Sequence, residues 1–388
     1  MNAADPLPSP KEPPLKEPPL KEPKIRVLIV EDSLVIREFL EYIIGQDPRL
    51  EVVGSVGSAE EALRLLNPDS WNAIRPDVIS MDIRLPGMDG FEATQRIMSE
   101  TPTPIVVVSA SVESEDLCIT MNALQAGALA VLEKPVGTTS MEYEAVASKL
   151  CTQLAIMSKV KVVRRHVSAS TTPRSERRGQ DWMGGSHPAP FVYSDRSSYS
   201  MLGIVSSTGG PNALVRLLGQ LGPNFPLPIA VVQHITPSFL EGFASWLDSA
   251  CPFSVVVVRD REPLESGKIY VACQDHHLRL KQGFVQVDAG GPVCGQRPSG
   301  DVLFESMANI LGNQGLGVLL TGMGEDGAAG LLQLRQAGGY TIAEDESTAV
   351  VYGMPAEAVR LGAVRESLPL PSIAPRILQM TVAQKEVA

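Results

Sequence analysis

The sequence predicts an α/β protein with two domains. At 388 residues the chain is too long for one typical domain and long enough for two. Short apolar runs alternate with segments of helical periodicity in two separate regions, and this alternation is typical of parallel sheets covered by helices. Between the two regions lies a segment rich in Ser, Thr, Pro, Gly and Arg with little apolar periodicity, which is typical of a linker.

The first region begins after an unusual tail. Residues 1–24 repeat the motif KEPPL, and proline at this density predicts an extended, disordered segment without a packed helix. From residue 25 to 150, five apolar runs alternate with helical patterns such as VIREFLEYII. We therefore expect a doubly wound, five-stranded parallel domain, whose strands are IRVLIV, EVVGSV, DVISM, PIVVVSA and ALAVLEK.

The predicted linker spans 151–196, and the second domain spans 197–388. Apolar runs such as MLGIVS, IAVVQH, LGVLLTG and GYTIA predict an α/β domain with a mostly parallel sheet. The stretch KIYVACQDHHLRLKQGFVQVD has the pattern of a β meander. Because a meander is antiparallel, we expect this sheet to be mixed.

Composition excludes several classes of protein. Hydrophobic residues make up 44% and charged residues 20%, no apolar run approaches the roughly 20 residues that span a bilayer, and no apolar signal core begins the chain. Five cysteines without a CxxC pair argue against a zinc site or a disulfide framework and favour reduced thiols in the cytoplasm. The net charge of −11 argues against broad nucleic-acid binding.

Polar side chains follow several strands of the first domain. Glu31 and Asp32 follow VLIV, and Asp82 follows VISM. Ser109 is the serine of VVVSA, and Lys134 is the lysine of LEKP. A single aspartate at a strand end is most often a helix cap, but the carboxyl ends of parallel strands share one edge. Carboxylates gathered there repel one another and are typical of a Mg²⁺ site, and an adjacent hydroxyl and ammonium suit a transferred phosphoryl group.

In the motifs VEDS, MDIRLPGMDG, VVVSA and EKP, residues 24–149 closely resemble a response-regulator receiver domain of flavodoxin-like fold. The resemblance implies that Asp82 accepts a phosphoryl group from a histidine kinase. It also implies that Ser109 and Lys134 contact the phosphoryl oxygens. Val131 stands where many receivers have an aromatic switch residue. The same resemblance implies a magnesium site formed by Glu31, Asp32, Asp82 and the carbonyl group of Arg84.

In the second domain, the stretch SSTGGP separates a predicted strand from a predicted helix. Gly209 and Gly210 permit a tight turn, and the adjacent helix N-terminus can stabilise an oxyanion. A helix cap or a phosphate-binding turn explains this stretch equally well. His234 ends IAVVQH and Asp326 follows VLLTGMGE, so a serine hydroxyl, a base and an orienting carboxylate follow three apolar strands. Each has a structural explanation alone, but together they suggest a hydrolase.

Two other histidines, His276 and His277, are weaker candidates for the base. They lie in DHHLRL, inside the predicted meander, and not directly after a long apolar strand. We therefore favour His234.

Residues 201–364 resemble the catalytic domain of chemotaxis protein-glutamate methylesterases. The resemblance rests on SSTGGP, VVQH, DHHLRL, RPSGDVLFESMA, LLTGMGEDGAAG and AEDESTAVVYGMP. It implies that Ser207 is the nucleophile, His234 the general base and Asp326 its orienting partner. It also implies that Thr208 and Met323 lie near the developing oxyanion through their backbone amides.

Two positions depart from the common pattern of this family. Ser206 stands where alanine is frequent, which makes it an unsuitable nucleophile. Glu325 stands where asparagine is common and adds a carboxylate beside Asp326.

The resemblance implies a phosphorylation-activated enzyme that hydrolyses glutamyl γ-methyl esters on methyl-accepting chemoreceptors. Methanol is the product, deamidation of receptor glutamines accompanies the reaction, and the esterase step needs no cofactor. Two alternatives stay open: a receiver-controlled serine hydrolase acting on another ester or amide, and a phosphoryl sink or regulatory binder with weak catalysis. Neither nucleic acid nor direct membrane insertion is expected.

Overall fold

The structure, a computed structural model, covers both predicted domains. It describes residues 23–109, 121–134, 140–160, 162 and 199–381, without the side chains at 140–143 and 145. The predicted tail, apart from its last two residues, and most of the predicted linker lie outside the described residues.

The first domain is a five-stranded parallel sheet in the order β2-β1-β3-β4-β5, which confirms the predicted fold. The strands are β1 (Ile25–Val30), β2 (Leu50–Val56), β3 (Val78–Met81), β4 (Ile105–Ser109) and β5 (Ala130–Glu133). Because β1 and β3 are neighbours, the acidic residues that follow them lie side by side at the carboxyl edge.

Helices cover both faces of this sheet. They are α1 (Leu34–Gln46), α2 (Ala59–Leu66), α3 (Gly90–Glu100) and α4 (Ser140–Met157), and residues 121–126 are also helical. The sequence defines where two of them begin, because Ser58 and Asp89 each accept a hydrogen bond from a backbone N–H of the first turn. Helix α4 runs to Met157, past the predicted boundary at residue 150, and it buries Leu154 in the core of this domain.

The second domain is built on seven parallel strands in the order β15-β14-β13-β6-β7-β10-β8. These strands are β6 (Met201–Ser206), β7 (Ile229–Gln233), β8 (Ser254–Val258), β10 (Lys268–Ala272), β13 (Gly315–Leu319), β14 (Tyr340–Glu344) and β15 (Glu366–Leu368). Strands β13, β6 and β7 are consecutive neighbours, so the segments that carry the predicted nucleophile, base and carboxylate leave the sheet at one edge.

Two strands of the predicted meander, β11 (His277–Lys281) and β12 (Phe284–Asp288), pair antiparallel in a separate sheet of order β11-β12-β9. Its third strand, β9 (Arg261–Pro263), was not predicted, and KIYVA, which the predicted meander included, is strand β10 of the parallel sheet. The expectation of one mixed sheet was therefore wrong, although the mostly parallel sheet and the presence of antiparallel strands are confirmed. The reason is packing: Leu278 and Leu280 of β11 bury their side chains with Leu303 and Phe304 of a helix instead of extending the larger sheet.

Helices flank the seven-stranded sheet. They are α5 (Gly210–Leu221), α6 (Leu240–Ala250), α7 (Gly300–Leu311), α8 (Ala328–Gln336), α9 (Met354–Arg360) and α10 (Leu370–Thr381). None of the helices in the described part of the chain has both the length and the apolar character of a membrane span.

Candidate active site

The turn between β6 and α5 carries the predicted nucleophile, Ser207, and its two glycines have steric roles. Gly209 adopts φ 79°, where side chains are disfavoured, and a Cβ atom on it would lie 2.6 Å from Val350. A Cβ atom on Gly210 would lie 2.1 Å from Oε1 of Gln233. Only glycine at both positions allows the turn to pack this closely against its neighbours.

Gln233 ties the nucleophile turn to the predicted base. Its Oε1 accepts a hydrogen bond from the Ser206 hydroxyl at 2.7 Å. Its Nε2 donates to the carbonyl groups of Ser207 and His234, both at 2.9 Å. The structure therefore gives Ser206 a supporting contact. Sequence reasoning missed Gln233, because a polar residue ending a buried strand carries no specific signal of this bridge.

His234 and Asp326 are in direct contact, as the sequence predicted that they would be. The imidazole Nε2 lies 2.7 Å from Oδ2 of Asp326, and both side chains are buried. The other ring nitrogen, Nδ1, is buried and has no hydrogen-bond partner among the described residues. Since an ionised carboxylate only accepts, Nε2 carries the proton and Nδ1 presents its lone pair as a base.

The N-terminus of α7 holds Asp326 in place. Its carboxylate accepts from the Ser299 hydroxyl at 2.5 Å, from the Gly300 N–H at 2.6 Å and from the Asp301 N–H at 3.2 Å. Burial raises the pKa of Asp326, but hydrogen bonds from His234, Ser299 and Gly300 outweigh burial and leave that pKa below its ordinary value. Sequence reasoning missed Ser299, because its hydroxyl donates to a carboxylate 27 residues away and no local pattern specifies that partner.

The end of β13 positions the predicted oxyanion donors. Thr321 accepts from the Ser207 N–H at 3.0 Å, and its hydroxyl donates to the Thr208 carbonyl at 2.9 Å. A Cβ atom on Gly322 would lie 2.7 Å from the Ser207 Cβ, so the two segments touch. The N–H groups of Thr208 and Met323 donate no hydrogen bond to any residue that the structure describes. Both amides are thus available to an oxyanion.

The Ser207 hydroxyl itself makes no hydrogen bond to His234 within the described chain, since Nδ1 is without a partner. Gln233 connects Ser207 and His234 indirectly, because its Nε2 donates to the carbonyl groups of both. In addition, the His234 N–H donates at 3.0 Å to the carbonyl of Ser206, the residue before Ser207. Hydrogen bonds between nucleophile and base are often long in the absence of substrate.

The two alternative histidines have other partners. His277 is buried, with Nε2 at 2.9 Å from the Gly291 carbonyl and Nδ1 accepting from the Ser299 N–H at 3.1 Å. It therefore supports the segment that caps Asp326. His276 is half-buried and contacts the Gln274 carbonyl.

A second cluster with metal-like spacing adjoins the site. Ligand atoms of Cys294, Asp301 and Asp326 lie within 4.8 Å of one another. The oxygens of Asp326 already accept four hydrogen bonds, so this group serves the histidine and the helix. Burial, followed by the nearby carboxylates, raises the pKa of the Cys294 thiol to about 11, which keeps it uncharged. The side chain of Glu325 is exposed beside them.

The first domain gathers its predicted acidic residues. Carboxylate oxygens of Glu31, Asp32 and Asp82 lie within 4.8 Å of one another. Lys134 lies between two of them, with Nζ 2.9 Å from Oδ2 of Asp82 and 2.8 Å from Oε2 of Glu31. Ser109 is buried at the end of β4, and its carbonyl accepts from the Lys134 N–H at 3.0 Å.

Electrostatics at this edge favour an added cation. Burial raises the pKa of Asp82 and of Glu31, although Lys134 opposes the rise in both. Burial lowers the pKa of Lys134, but Asp82 and Glu31 outweigh it and leave that pKa raised. The N–H of Arg84 donates to the Asp82 carboxylate. Three clustered carboxylates share one ammonium here, and this donor set fits a divalent cation that prefers oxygen ligands.

The two domains contact each other beside both sites. Asn212 of α5 donates through Nδ2 to the Leu124 carbonyl at 2.8 Å. The Ser238 hydroxyl donates to Oε2 of Glu133 at 3.3 Å. Glu133 directly precedes Lys134, and Ser238 lies four residues after His234. The contact between Ser238 and Glu133 therefore joins a segment next to the predicted phosphoryl site with a segment next to the predicted base.

Two family models match the chain. The model described as CheB methylesterase matches residues 202–377, and the model described as response regulator receiver domain matches residues 27–145.

Individual proteins are similar over nearly the whole chain. Protein-glutamate methylesterase/protein-glutamine glutaminase 2 of Paramagnetospirillum magneticum is 54% identical over 92% of this chain and 98% of its own length. Protein-glutamate methylesterase/protein-glutamine glutaminase 4 of Myxococcus xanthus is 43% identical over 91% of this chain and 96% of its own length.

A solved structure is similar to the second domain. The crystal structure of the Thermotoga maritima CheB methylesterase catalytic domain is 36% identical, with a TM-score of 0.46, and the match covers 47% of this chain and 99% of that one. The chain belongs to the CheB methylesterase family, as a member with a receiver domain ahead of the catalytic domain.

Proposed function

We propose that this protein hydrolyses glutamyl γ-methyl esters on methyl-accepting chemoreceptors, releases methanol, and deamidates receptor glutamines. The names of its relatives at 54% and 43% identity support this substrate class. The observation that carries the proposal is the 2.7 Å contact between His234 and Asp326, beside a nucleophile turn that Gln233 ties to the histidine backbone.

In the first half of the reaction, Nδ1 of His234 takes the Ser207 proton as Oγ attacks the ester carbonyl carbon. The negative charge that develops on the carbonyl oxygen is stabilised by the free amides of Thr208 and Met323. His234 then donates its proton to the departing methoxide, methanol leaves, and a glutamyl ester of Ser207 remains. When the substrate is a glutamine, ammonia leaves in place of methanol.

In the second half, His234 takes a proton from water, and the resulting hydroxide attacks the acyl-serine. Collapse of this second tetrahedral intermediate breaks the bond to Oγ, returns the proton to Ser207 and frees a glutamate side chain. Asp326 stabilises the imidazolium in both halves, and its lowered pKa keeps it ionised throughout.

The first domain acts as the phosphoryl acceptor. We propose that Asp82 takes the phosphoryl group from a histidine kinase, with Ser109 and Lys134 binding the phosphoryl oxygens. Mg²⁺, when bound, would neutralise charge on the phosphoryl group and the carboxylates. Its ligands would be Glu31, Asp32, Asp82 and the Arg84 carbonyl.

Phosphorylation would then act through the domain interface. The Glu133–Ser238 and Asn212–Leu124 contacts attach the receiver to segments that follow the base and the nucleophile. A phosphoryl group on Asp82 competes for Lys134, which adjoins Glu133, and so favours an arrangement in which the catalytic cleft is open.

The names of the relatives do not favour the two alternative functions, and one assay separates both of them from the proposed function. A hydrolase of another ester or amide would release no methanol from methylated receptor membranes, and a phosphoryl sink would release little with or without a phosphodonor. We expect methanol release that increases on phosphorylation. We propose that this reaction takes place in the cytoplasm, which is consistent with four cysteines of the described chain that form no disulfide. We expect neither nucleic acid nor membrane insertion.

A further inference from the structure

Glu344 is a buried carboxyl group beside the nucleophile turn that the proposed chemistry does not use. It ends β14 and has no exposed surface. Its Oε2 accepts a hydrogen bond from the Thr321 N–H at 2.8 Å. Its Oε1 is buried and has no hydrogen-bond partner in the part of the chain that the structure describes. Such a group is costly to bury, so its position calls for an explanation.

Thr321 connects this carboxyl group to the active site. Its carbonyl accepts from the Ser207 N–H at 3.0 Å, and its hydroxyl donates to the Thr208 carbonyl at 2.9 Å. Met323, whose amide is a proposed oxyanion donor, follows two residues later. The Thr321 N–H donates to Glu344, and the same threonine contacts the nucleophile turn and lies in the oxyanion segment. Glu344 therefore holds the residue that connects the two.

The surroundings of Glu344 favour its neutral form. Burial raises its pKa above the ordinary value, and Asp345, the next residue, raises it further. The hydrogen bond from the Thr321 N–H lowers that pKa, as do Thr348 and Arg216 of α5, but together they do not cancel the effect of burial. On the adjacent strand β15, Glu366 is already engaged by Arg376 at 2.7 Å.

We propose that Glu344 is a positioning residue for the ester hydrolysis, holding the Thr321 N–H and so fixing Ser207 relative to the Met323 amide. This inference rests on the proposed function. Oε2 is the acceptor of this N–H, and no other acceptor for it lies among the described contacts. Without this contact the buried Thr321 N–H loses its acceptor, and small displacements of reacting groups are costly for rate.

The test compares Glu344→Met with Glu344→Gln in the full-length protein. Methionine keeps the length but offers no acceptor, so we expect kcat for methanol release from methylated receptor membranes to fall about 10- to 100-fold, with KM little changed. Glutamine is neutral and keeps an acceptor, so we expect kcat within about threefold of wild type. Ser306→Ala is the matched control, because it also removes a buried side-chain acceptor from a backbone N–H, that of Leu280, away from the site.

A second readout tests the raised pKa of Glu344 independently of catalysis. Because the folded-state pKa of Glu344 is raised above 4.5, the folded protein binds more protons than the unfolded chain, and stability is lost as pH rises above that value. Glutamine has no such loss. The melting temperature of Glu344→Gln relative to wild type should therefore be higher at pH 8 than at pH 5, and this holds even if Glu344→Met fails to fold.

Three results would overturn the inference: wild-type kcat in folded Glu344→Met, equal losses of kcat in both Glu344 variants, or a kcat of Glu344→Gln far below that of wild type. A pH-independent difference in melting temperature would contradict the raised pKa of Glu344. Ser207→Ala, assayed beside them, tests the proposed function separately. If Ser207→Ala is inactive while Glu344→Met is fully active, only the role of Glu344 is wrong. If Ser207→Ala is active, the proposed function is wrong.

Discussion

His234 turns Nε2, and not Nδ1, toward Asp326, at a distance of 2.7 Å. Asp326 in turn accepts from the Ser299 hydroxyl and from two N–H groups at the start of α7, so the orientation of the imidazole is determined by a helix terminus. The nitrogen left to act on Ser207 is Nδ1, which is buried and without a partner in the described chain. The proposed proton transfer therefore runs through Nδ1.

Replacing the nucleophile separates catalysis from phosphorylation. Ser207→Ala should lower kcat for methanol release at least about 10⁴-fold, because no oxygen remains to form the acyl-enzyme. Phosphorylation of Asp82 by a small phosphodonor should be unaffected. Ser206→Ala is the matched control, since its hydroxyl only donates to Gln233, and we expect a loss of less than about tenfold. Equal losses in the two variants would contradict the assignment of Ser207.

Replacing the Asp326 carboxylate tests its proposed role in orienting His234. Asp326→Asn should reduce kcat roughly 10³- to 10⁴-fold, since an amide neither selects the Nε2–H tautomer nor stabilises the imidazolium. The folded-state pKa of Asp326 lies below the ordinary 3.8, so its carboxylate stabilises the fold above pH 3.8, and this stabilisation is lost as pH falls through the folded-state pKa. Unfolding free energies should therefore differ between variant and wild type at pH 6 and converge under strong acid. A constant difference would contradict the pKa direction.

Removing the phosphoryl acceptor tests the control scheme. In Asp82→Asn, a phosphodonor should no longer stimulate methanol release, because the amide cannot form an acyl phosphate. The same samples without phosphodonor give the reference rate for each protein. Undiminished stimulation of this variant would remove the receiver domain from the regulation of the esterase.

Weakening the domain interface should reproduce part of the increase in methanol release that phosphorylation causes. Asn212→Ala deletes the hydrogen bond to the Leu124 carbonyl, and since such a bond contributes about 1 kcal/mol, the unphosphorylated enzyme should become roughly fivefold more active. Ser249→Ala is a suitable control, because among the described residues its hydroxyl bonds only to the Trp246 carbonyl within its own helix. A basal rate that Asn212→Ala leaves unchanged would mean that this contact does not restrain the catalytic domain.

Periodicity predicted most of the fold, and the residues that follow the apolar runs indicated where a site would lie, whereas the choice of Ser207 came from the family resemblance. Because parallel strands end at one edge, residues that follow separate apolar runs can be placed together from the sequence alone. The contact between His234 and Asp326 follows from this rule, as does the cluster of Glu31, Asp32 and Asp82.

What the sequence could not predict depends on side-chain geometry across elements that are distant in the chain. Gln233, Ser299 and Glu344 act through hydrogen bonds to segments 26, 27 and 23 residues away, and no local pattern specifies such partners. Similarly, the meander was recognised, but its packing against α7 as a separate sheet depends on which apolar faces meet.

If Ser207, His234 and Asp326 form one catalytic unit, covalent labelling of the nucleophile should depend on the histidine. Full-length protein would be treated with a serine-directed fluorophosphonate and the modified residue identified by peptide mass spectrometry. We expect a single adduct on Ser207 that forms at least about 10³-fold more slowly in His234→Ala. An adduct on Ser206, or labelling of Ser207 at an unchanged rate without His234, would contradict it.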